Sequence, residues 1–282
     1  MFSYIQAVLR LTRVGDALAV FLATVLGAVI TGISDLSVIA TMSACIVALF
    51  CASMAFNDYF DIAEDAINAP SRPLVNQALP RWAAMVLACL LFAISLVAAA
   101  TLSSRLLLAT SIAIALSMAY SLWLKDVPVL GNLSVALVST FAFGCWGLYG
   151  PVPSHFWAIC IALLSIRLGG EFLKTAQDRP GDSIAGRRTL ATLVSTRCSI
   201  HLGLIALLCG IAFALSVAII KPTSITYVLV MAVCSLLILW GYLIAKNETQ
   251  ASVDRLVTIE RTVTSALMVA VFLGLTPALT LL

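Results

Sequence analysis

The sequence predicts an all-α protein that crosses a membrane several times, and three observations support this fold class. The 282-residue chain is 62% hydrophobic and only 10% charged, with a mean hydropathy of +1.10, whereas soluble domains carry about 25% charged residues. Apolar runs of roughly 20 residues, the length that crosses a bilayer as a helix, recur along the chain. Most charged residues lie between these runs.

In chain order, the apolar runs predict nine membrane-spanning helices in one bundle, which we treat as a single integral-membrane domain over residues 1–282. The first run follows Arg10 and Arg13 but is too long for a cleaved signal peptide and lacks a small-residue cleavage site. The predicted spans cover residues 15–33, 36–56, 82–101, 104–124, 129–149, 155–173, 199–220, 225–245 and 259–281.

The positive charges predict the orientation of these spans. When the nine spans alternate, thirteen of the sixteen Lys and Arg residues fall on the side of the N-terminus, with Arg105, Lys221 and the intramembrane Arg167 as the exceptions. The positive-inside rule then places the N-terminus and the long polar loops in the cytoplasm. A net charge of +3 is typical of such loops and does not indicate a nucleic-acid partner.

Three polar pairs recur at one offset. Each pair is separated by 121 residues in the sequence: Asn57 and Asp178, Asp61 and Asp182, Lys125 and Lys246. The offset predicts that spans one to four and five to eight are diverged copies, with the ninth span appended. Chance alignment of loops between helices of similar length is the alternative.

The stretch "AFNDYFDIAEDAINAPSRPL", residues 55–74, follows the second apolar span and contains the first acidic cluster. Asn57, Asp61 and Asp65 are spaced i, i+4 and i+8, which places them on one face of a continuing helix, with Asp58 beside them. Unpaired carboxylates near hydrocarbon cost roughly 2.5–3.5 kcal/mol each. A divalent cation would remove their repulsion, and Mg²⁺, which prefers hard oxygen ligands, commonly shares its coordination shell with a phosphate substrate.

A second acidic cluster lies in "EFLKTAQDRPGDSIAGRRTL", residues 171–190. Asp178 and Asp182 are one helical turn apart, and Lys174 precedes them by one turn. Because Pro180 and Gly181 separate the two acids, we expect the helix to be irregular there. Two such clusters facing each other would hold metal ions that bridge a diphosphate.

Nearby cations would neutralise the remaining phosphate charge and so lower the barrier to losing diphosphate as a leaving group. The candidates are Arg13, Arg72, Lys125 and Lys174. The alternative is that charges at helix ends are solvated, and we accept that interpretation for Glu64, Asp126 and Arg179.

Four segments resemble motifs of the UbiA superfamily of intramembrane prenyltransferases. "NDYFDIAED" is similar to its NDxxDxxxD motif and "SRPL" to its RP element. "AYSLWLKDVPVLGN" resembles its Tyr-Ser…Lys segment, and "DRPGD…GRRTL" its second DxxxD motif. The four occur in the family's order and cover essentially the whole chain, which is therefore identified as a member.

The resemblance implies Mg²⁺ and the diphosphate of an isoprenyl donor, bound in a polar chamber on the cytoplasmic side. The implied metal-binding residues are Asn57, Asp58, Asp61, Asp65, Asp178 and Asp182, and the five aspartates among them are the implied catalytic residues. The implied substrate-binding residues are Arg13, Asn57, Arg72, Tyr120, Lys125 and Lys174, although Val14 stands where the family has a Pro after the arginine.

The implied reaction is Mg²⁺-dependent loss of diphosphate, which leaves an allylic carbocation for the acceptor to attack. Apolar walls would exclude water, which otherwise converts the cation to an alcohol. Because each buried CH₂ contributes about 0.8 kcal/mol, a long isoprenyl tail prefers the bilayer. Membrane embedding therefore suits both the donor and a lipophilic acceptor.

The second motif is similar to that of the digeranylgeranylglyceryl phosphate synthase branch, with three departures: Gly170 for Arg, Thr175 for Asp and Gln177 for Glu. The acceptor therefore stays open between an isoprenylglyceryl phosphate and an aromatic ring. A terpene cyclase that acts on the donor alone is an alternative. A transporter is a further alternative, but it predicts acids at mid-span, whereas here the acids lie at one end and only Glu171 is expected within a helix.

Two further sets of residues have open roles. Arg187 and Arg188 are candidates for binding a phosphorylated acceptor, since paired guanidinium groups suit phosphate, and topogenic loop charge is the alternative. The aromatic residues Phe143, Trp146 and Tyr149 are candidates for stabilising a cation by their ring faces, but we expect them to lie in an interfacial belt at a membrane surface.

Overall fold

The structure, a computed structural model, describes residues 2–221 and 223–275, and within them every regular element is helical. The all-α prediction is confirmed. The helices are α1 (Phe2–Leu11), α2 (Val14–Thr31), α3 (Leu36–Phe60), α4 (Ile62–Asn68), α5 (Arg81–Leu102), α6 (Ser104–Leu122), α7 (Leu130–Gly144), α8 (Trp146–Tyr149), α9 (His155–Ile184), α10 (Leu190–Leu193), α11 (Thr196–Ile220), α12 (Ile225–Ala245) and α13 (Gln250–Leu275), with a 3-10 turn at Leu124–Asp126.

Seven helices among the described residues are long and apolar enough to cross a membrane: α2, α3, α5, α6, α9, α11 and α12. The predicted span 129–149 is divided at Cys145 into α7 and α8, and the 15 residues of α7 are fewer than the roughly 20 that a span needs. The predicted span 259–281 begins inside α13, and its residues 276–281 lie outside the described part of the chain. The polytopic class is confirmed, whereas the count of nine is not.

The helices pack into two compact units. The first contains residues up to Ala28, Gly32–Lys125 and Phe141–Pro151, and the second contains Val29–Thr31, Asp126–Thr140 and the described residues from Val152 onward. In the first unit α3 and α5 build the core, where Ala52, Ala55, Ala84 and Ala88 are fully buried. Such small residues let helices approach closely, which supplies the van der Waals contact that holds helices together in lipid.

Trp146 packs the short helix α8 into the first unit. Its indole N–H donates to the Thr24 carbonyl at 2.7 Å, and a Cβ at Gly27 would lie 2.4 Å from its ring. Trp146 and Phe143 are buried, so the prediction of an interfacial belt is wrong for these two residues. The indole N–H finds a backbone acceptor inside the protein and has no need of the membrane surface.

Glycines bring α9 and α11 together in the second unit. A Cβ at Gly169 would lie 2.9 Å from the Gly203 carbonyl oxygen, and one at Gly203 would lie 3.2 Å from the Gly169 carbonyl oxygen. Further along the same interface, a Cβ at Gly210 would lie 2.9 Å from the Ala162 carbonyl oxygen. The two backbones are therefore in direct contact, and no side chain fits between them at these positions.

We expect Gly210→Ala to destabilise the protein by about 1–3 kcal/mol, because the added methyl meets backbone atoms that cannot move aside. Gly15→Ala is the matched control, since it also lies in a helix and nothing is within 4 Å of its Cβ position. Thermal unfolding in detergent measures both variants. Equal melting temperatures for the two would contradict the packing of α9 on α11.

Candidate functional site

The first acidic motif lies where α3 ends and α4 begins. Asp61 is the junction residue, with φ −94° and ψ 11°. Helical hydrogen bonding continues through it, because its N–H donates to the Asn57 carbonyl at 3.0 Å and its carbonyl accepts from the Asp65 N–H at 2.8 Å. The three residues follow one another at one-turn intervals, as their spacing predicts, although the predicted continuous helix is interrupted at Asp61.

Two arginines neutralise the buried acids of this motif. Asp58 is 2% exposed, and its Oδ1 accepts from Arg13 at 3.1 Å and from Arg72 at 2.9 Å. Arg72 also donates to Asp65 Oδ2 at 2.5 Å. Arg13 reaches Asp58 from the turn between α1 and α2, where its φ of +48° is a left-handed conformation that costs a non-glycine residue backbone strain. Both predicted cations therefore lie at the first motif.

Lys125 supplies the third cation. From the 3-10 turn after α6 it forms an ion pair with Asp61, and its Nζ lies 3.4 Å from the Glu64 carboxylate. The Asn57 amide donates to the second Asp61 oxygen at 2.7 Å, and its own oxygen accepts from Ser121 at 3.3 Å. Glu64, predicted to be a solvated charge, is partly exposed and also lies near the lysine that pairs with Asp61.

Burial raises the pKa of Asp65 from its usual 3.8 to about 6, because desolvation disfavours the charged carboxylate. The Arg72 guanidinium lowers this pKa by its charge and hydrogen bond, and the neighbouring Asp58 and Asp61 raise it again. The single contact with Arg72 does not offset burial and like-charge repulsion together. Asp65 is thus a carboxylate that further positive charge would stabilise.

The second acidic motif lies on the last turns of α9. Asp178 and Asp182 are one turn apart in a helix that continues to Ile184, so the predicted irregularity at Pro180 and Gly181 is wrong. Proline fixes φ near its helical value and removes one N–H donor. Here it does so in an exposed turn close to the helix end, where the helix accommodates that loss.

A Schellman motif ends α9 directly after the second acid. Gly186 adopts φ +70°, its N–H donates to the Ser183 carbonyl at 3.3 Å, and the Arg187 N–H donates to the Asp182 carbonyl at 2.8 Å. This turn fixes Arg187 beside the motif, where its guanidinium pairs with Asp126 at 3.0 Å. Asp126, predicted to be a solvated charge, has a partly exposed side chain that also forms this ion pair.

Other predicted residues have weaker links to the motifs. Lys174 is exposed on α9, and its charge acts on Asp182, which also accepts a hydrogen bond from the Thr189 hydroxyl. Tyr120 lies half-buried on α6, next to the Ser121 that contacts Asn57. Arg188 and Arg179 are both exposed, as predicted for a solvated Arg179, which also donates to Thr196 at 2.9 Å. The substrate-binding roles of Lys174 and Tyr120 stay predictions.

Two of the departures from the family motif have partners that sequence reasoning missed. Thr175 is buried and accepts from the Asn132 amide at 2.9 Å, and Gln177 donates to Asp254 Oδ1 at 2.9 Å. These partners lie 43 and 77 residues away. Spacing in one sequence carries no signal for such pairs, so only the fold could identify them.

The donor set of the two motifs fits Mg²⁺, since carboxylate and amide oxygens are the hard ligands that this ion prefers. Within residues 2–221 and 223–275, no three His, Cys, Asp or Glu side chains are arranged as a ready metal cage. Mg²⁺ does not require such a cage, because it usually binds through one or two carboxylates together with substrate phosphates and water. The cations of the first motif lie directly beside these acids.

Comparison with known proteins identifies relatives over most of the chain. The UbiA prenyltransferase family model matches residues 17–263. Digeranylgeranylglyceryl phosphate synthase of Methanopyrus kandleri is 32% identical over 221 residues, which cover 77% of this chain and 78% of that protein. The enzyme of the same name from Pyrococcus abyssi is 34% identical over 148 residues. This alignment covers 52% of this chain and 53% of that relative, so it spans about half of each protein.

Solved structures have the same fold. One from a study of digeranylgeranylglyceryl phosphate synthase in membranes superposes with a TM-score of 0.80 at 19% identity, covering 97% of this chain and 99% of that one. A UbiA homolog from Archaeoglobus fulgidus bound to GPP and Mg²⁺ gives a TM-score of 0.70 at 18% identity, covering 94% and 99%. At this level of identity the likeness concerns the fold.

We expect Asp65→Asn to flatten the pH dependence of thermal stability in detergent with EDTA. Because the pKa of Asp65 is raised to about 6 in the folded protein, its contribution to stability is fully present below about pH 4 and is lost as the pH rises through 6. Over this pH interval the stability of the variant relative to the parent should therefore rise by at most roughly 3 kcal/mol. The rise appears as an increase in the melting temperature of the variant relative to that of the parent. Asp16→Asn, at an exposed acid, is the matched control. Parallel curves for the parent and Asp65→Asn would contradict the assignment.

Proposed function

Because the chain belongs to the UbiA prenyltransferase family, we propose that it transfers an isoprenyl group from an isoprenyl diphosphate to a lipophilic acceptor, with Mg²⁺ as cofactor. One observation carries the proposal most directly. At the first motif, acids that suit Mg²⁺ lie within hydrogen-bond distance of cations that suit phosphate, since Arg72 binds both Asp58 and Asp65. A diphosphate that carries Mg²⁺ needs both kinds of group together.

We assign Mg²⁺ binding to the acids of the two motifs. The ligands would be Asp58, Asp61 and Asp65 with Asn57 at the first motif, and Asp178 and Asp182 at the second. When bound, Mg²⁺ neutralises negative charge on a departing diphosphate and so favours its loss. Asn57 holds Asp61 in place by a hydrogen bond of 2.7 Å.

The cations of the chain bind and orient the diphosphate in this proposal. Arg13, Arg72 and Lys125 already lie against the acids of the first motif, beside the proposed metal ligands. Lys174 and Tyr120 are the further candidates. Positive charge held in place before the reaction stabilises the leaving group without a cost of reorganisation. The allylic carbocation that remains is attacked by the acceptor, and the apolar helices exclude water.

For the acceptor we propose a glycerophosphate that carries an isoprenyl chain. The support is the name of the relatives at 32–34% identity, digeranylgeranylglyceryl phosphate synthase. The multi-pass helices fit a donor and an acceptor with long apolar chains, which partition into the bilayer. The distribution of Lys and Arg supports a cytoplasmic N-terminus and cytoplasmic motif loops.

Diphosphate release in detergent or in membranes tests the function. The donors are geranyl, farnesyl and geranylgeranyl diphosphate, each alone, with an isoprenylglyceryl phosphate, or with an aromatic acceptor. We expect Mg²⁺-dependent release that requires the glycerophosphate. Release that requires the aromatic acceptor would contradict the proposed acceptor, and release without any acceptor, with a cyclic product, would contradict transfer. No release with any pair would contradict the enzyme assignment.

We expect Asp61→Ala and Asp182→Ala each to abolish turnover while the protein stays folded in detergent. Removal of either carboxylate deletes a proposed metal ligand at one motif. Asp16→Ala changes an exposed acid outside both motifs and should keep normal activity. Near-normal turnover of either motif variant would show that its acid is not part of the metal site.

A further inference from the structure

A third acid, Glu171, precedes the two aspartates of the second motif on the same face of α9. Glu171, Thr175, Asp178 and Asp182 are spaced i, i+4, i+7 and i+11, which places them in one stripe. At a rise of 1.5 Å per residue, Glu171 lies about 10 Å from Asp178, further from the helix end. It therefore lies inside a helix that is long and apolar enough to cross the membrane. An ionisable side chain is energetically costly in such a helix and commonly marks a functional site.

The surroundings of Glu171 fix its backbone and leave its carboxylate able to accept. The Glu171 carbonyl accepts from the Asn132 amide at 3.1 Å and from the Thr175 hydroxyl at 2.8 Å. The carboxylate lies 3.7 Å from Arg167, one turn earlier on α9, with the Glu171 side chain only 11% exposed. That separation is longer than a hydrogen bond, so the carboxylate keeps acceptor capacity beyond this ion pair.

A second buried carboxylate comes from α13. Glu260 is 4% exposed, and it packs so closely on α9 that a Cβ at Gly170 would lie 2.8 Å from its Oε1. The glycine, which stands where the family motif commonly has an arginine, therefore makes room for this acid. Thr264 donates to the same oxygen at 2.8 Å.

The charges that act on Glu260 are Arg167, Glu171 and Arg261. Arg261 is exposed, so the partly buried Arg167 is the main positive charge for the buried Glu260 and the partly buried Glu171. One guanidinium does not neutralise two carboxylates, so the cluster of Arg167, Glu171 and Glu260 carries an uncompensated negative charge in a medium of low dielectric constant. The cluster therefore has the chemistry of a proton acceptor within the membrane-spanning part of α9.

We propose that Glu171 accepts the proton that the acceptor hydroxyl loses during transfer, with Arg167 and Glu260 as positioning residues. This inference rests on the proposed function. The bond between the allylic carbon and the diphosphate oxygen breaks, and the diphosphate leaves with the electron pair. The acceptor oxygen forms the new bond to that carbon, and its proton moves to the Glu171 carboxylate.

The position of Glu171 along α9 matches this role. A donor whose diphosphate is bound at Asp178 and Asp182 extends its isoprenyl chain away from the polar end of the helix. Its allylic carbon, and the hydroxyl that attacks this carbon, then lie toward Glu171. A positioned base raises the nucleophilicity of that hydroxyl and contributes about 10²–10⁴-fold to the rate.

Glu171→Gln tests the proposal, because it keeps the shape of the side chain and removes its ability to take the proton. Purified variant and parent receive the donor, the acceptor and Mg²⁺, and the transferred product, free isoprenyl alcohol and diphosphate are quantified. We expect transfer to fall by about 10²–10⁴-fold, Mg²⁺-dependent donor binding to be unchanged, and the ratio of alcohol to transferred product to rise. Transfer at the parental rate with an unchanged ratio would overturn the proposal.

Three further variants separate a base from a structural ion pair. Glu171→Asp should recover part of the transfer activity, and Gly170→Ala should lower it by displacing the Glu260 carboxylate. Glu248→Gln, at a surface ion pair with Arg197, is the matched control and should behave as the parent. If transfer by Glu171→Gln falls only in proportion to the folded fraction, with the product ratio unchanged, the proposal is overturned. A parent protein that releases no diphosphate with any acceptor would instead contradict the proposed function itself.

Discussion

The double ion pair of Arg72 with Asp58 and Asp65 is the interaction on which the first motif depends. Carboxylates at the end of a membrane helix are costly unless positive charge accompanies them. Arg72 follows these acids in the chain, while Arg13 and Lys125 come from the turns after α1 and α6. The ion pairs that compensate the acids therefore hold three segments of the chain against the end of α3. The same charges suit a substrate that carries both phosphate and Mg²⁺.

Close packing of helices gives these charges a fixed frame. Alanines between α3 and α5 and glycines between α9 and α11 bring the backbones into contact, so each motif is carried by a rigid element. Gly170 shows the same principle applied to a polar group, because its missing side chain leaves space for the Glu260 carboxylate. Within the second unit, space made by small residues thus serves both stability and the placement of charge.

Local sequence patterns predict the helical class and the two acidic motifs, since these depend on composition and short spacings. The cations Arg13 and Lys125 lie 45 and 64 residues from their acids, and the family resemblance adds them to the site. Sequence patterns miss contacts between residues that are remote in the chain. Asp126 pairs with Arg187 across 61 residues, and Trp146 bonds to Thr24 across 122. At Pro180 a local rule failed, because the loss of one donor near a helix end does not outweigh the packing of the rest of α9. Such outcomes depend on the fold and not on the local sequence.

A crystal structure with Mn²⁺ in place of Mg²⁺ and an unreactive thio analogue of geranylgeranyl diphosphate tests the central claim most directly. The account predicts anomalous peaks at metal-ligand distance from carboxylate oxygens of the two motifs. It also predicts that Arg72 and Lys125 lie within hydrogen-bond distance of phosphate oxygens. Analogue bound elsewhere, or metal peaks away from both motifs, would contradict the account.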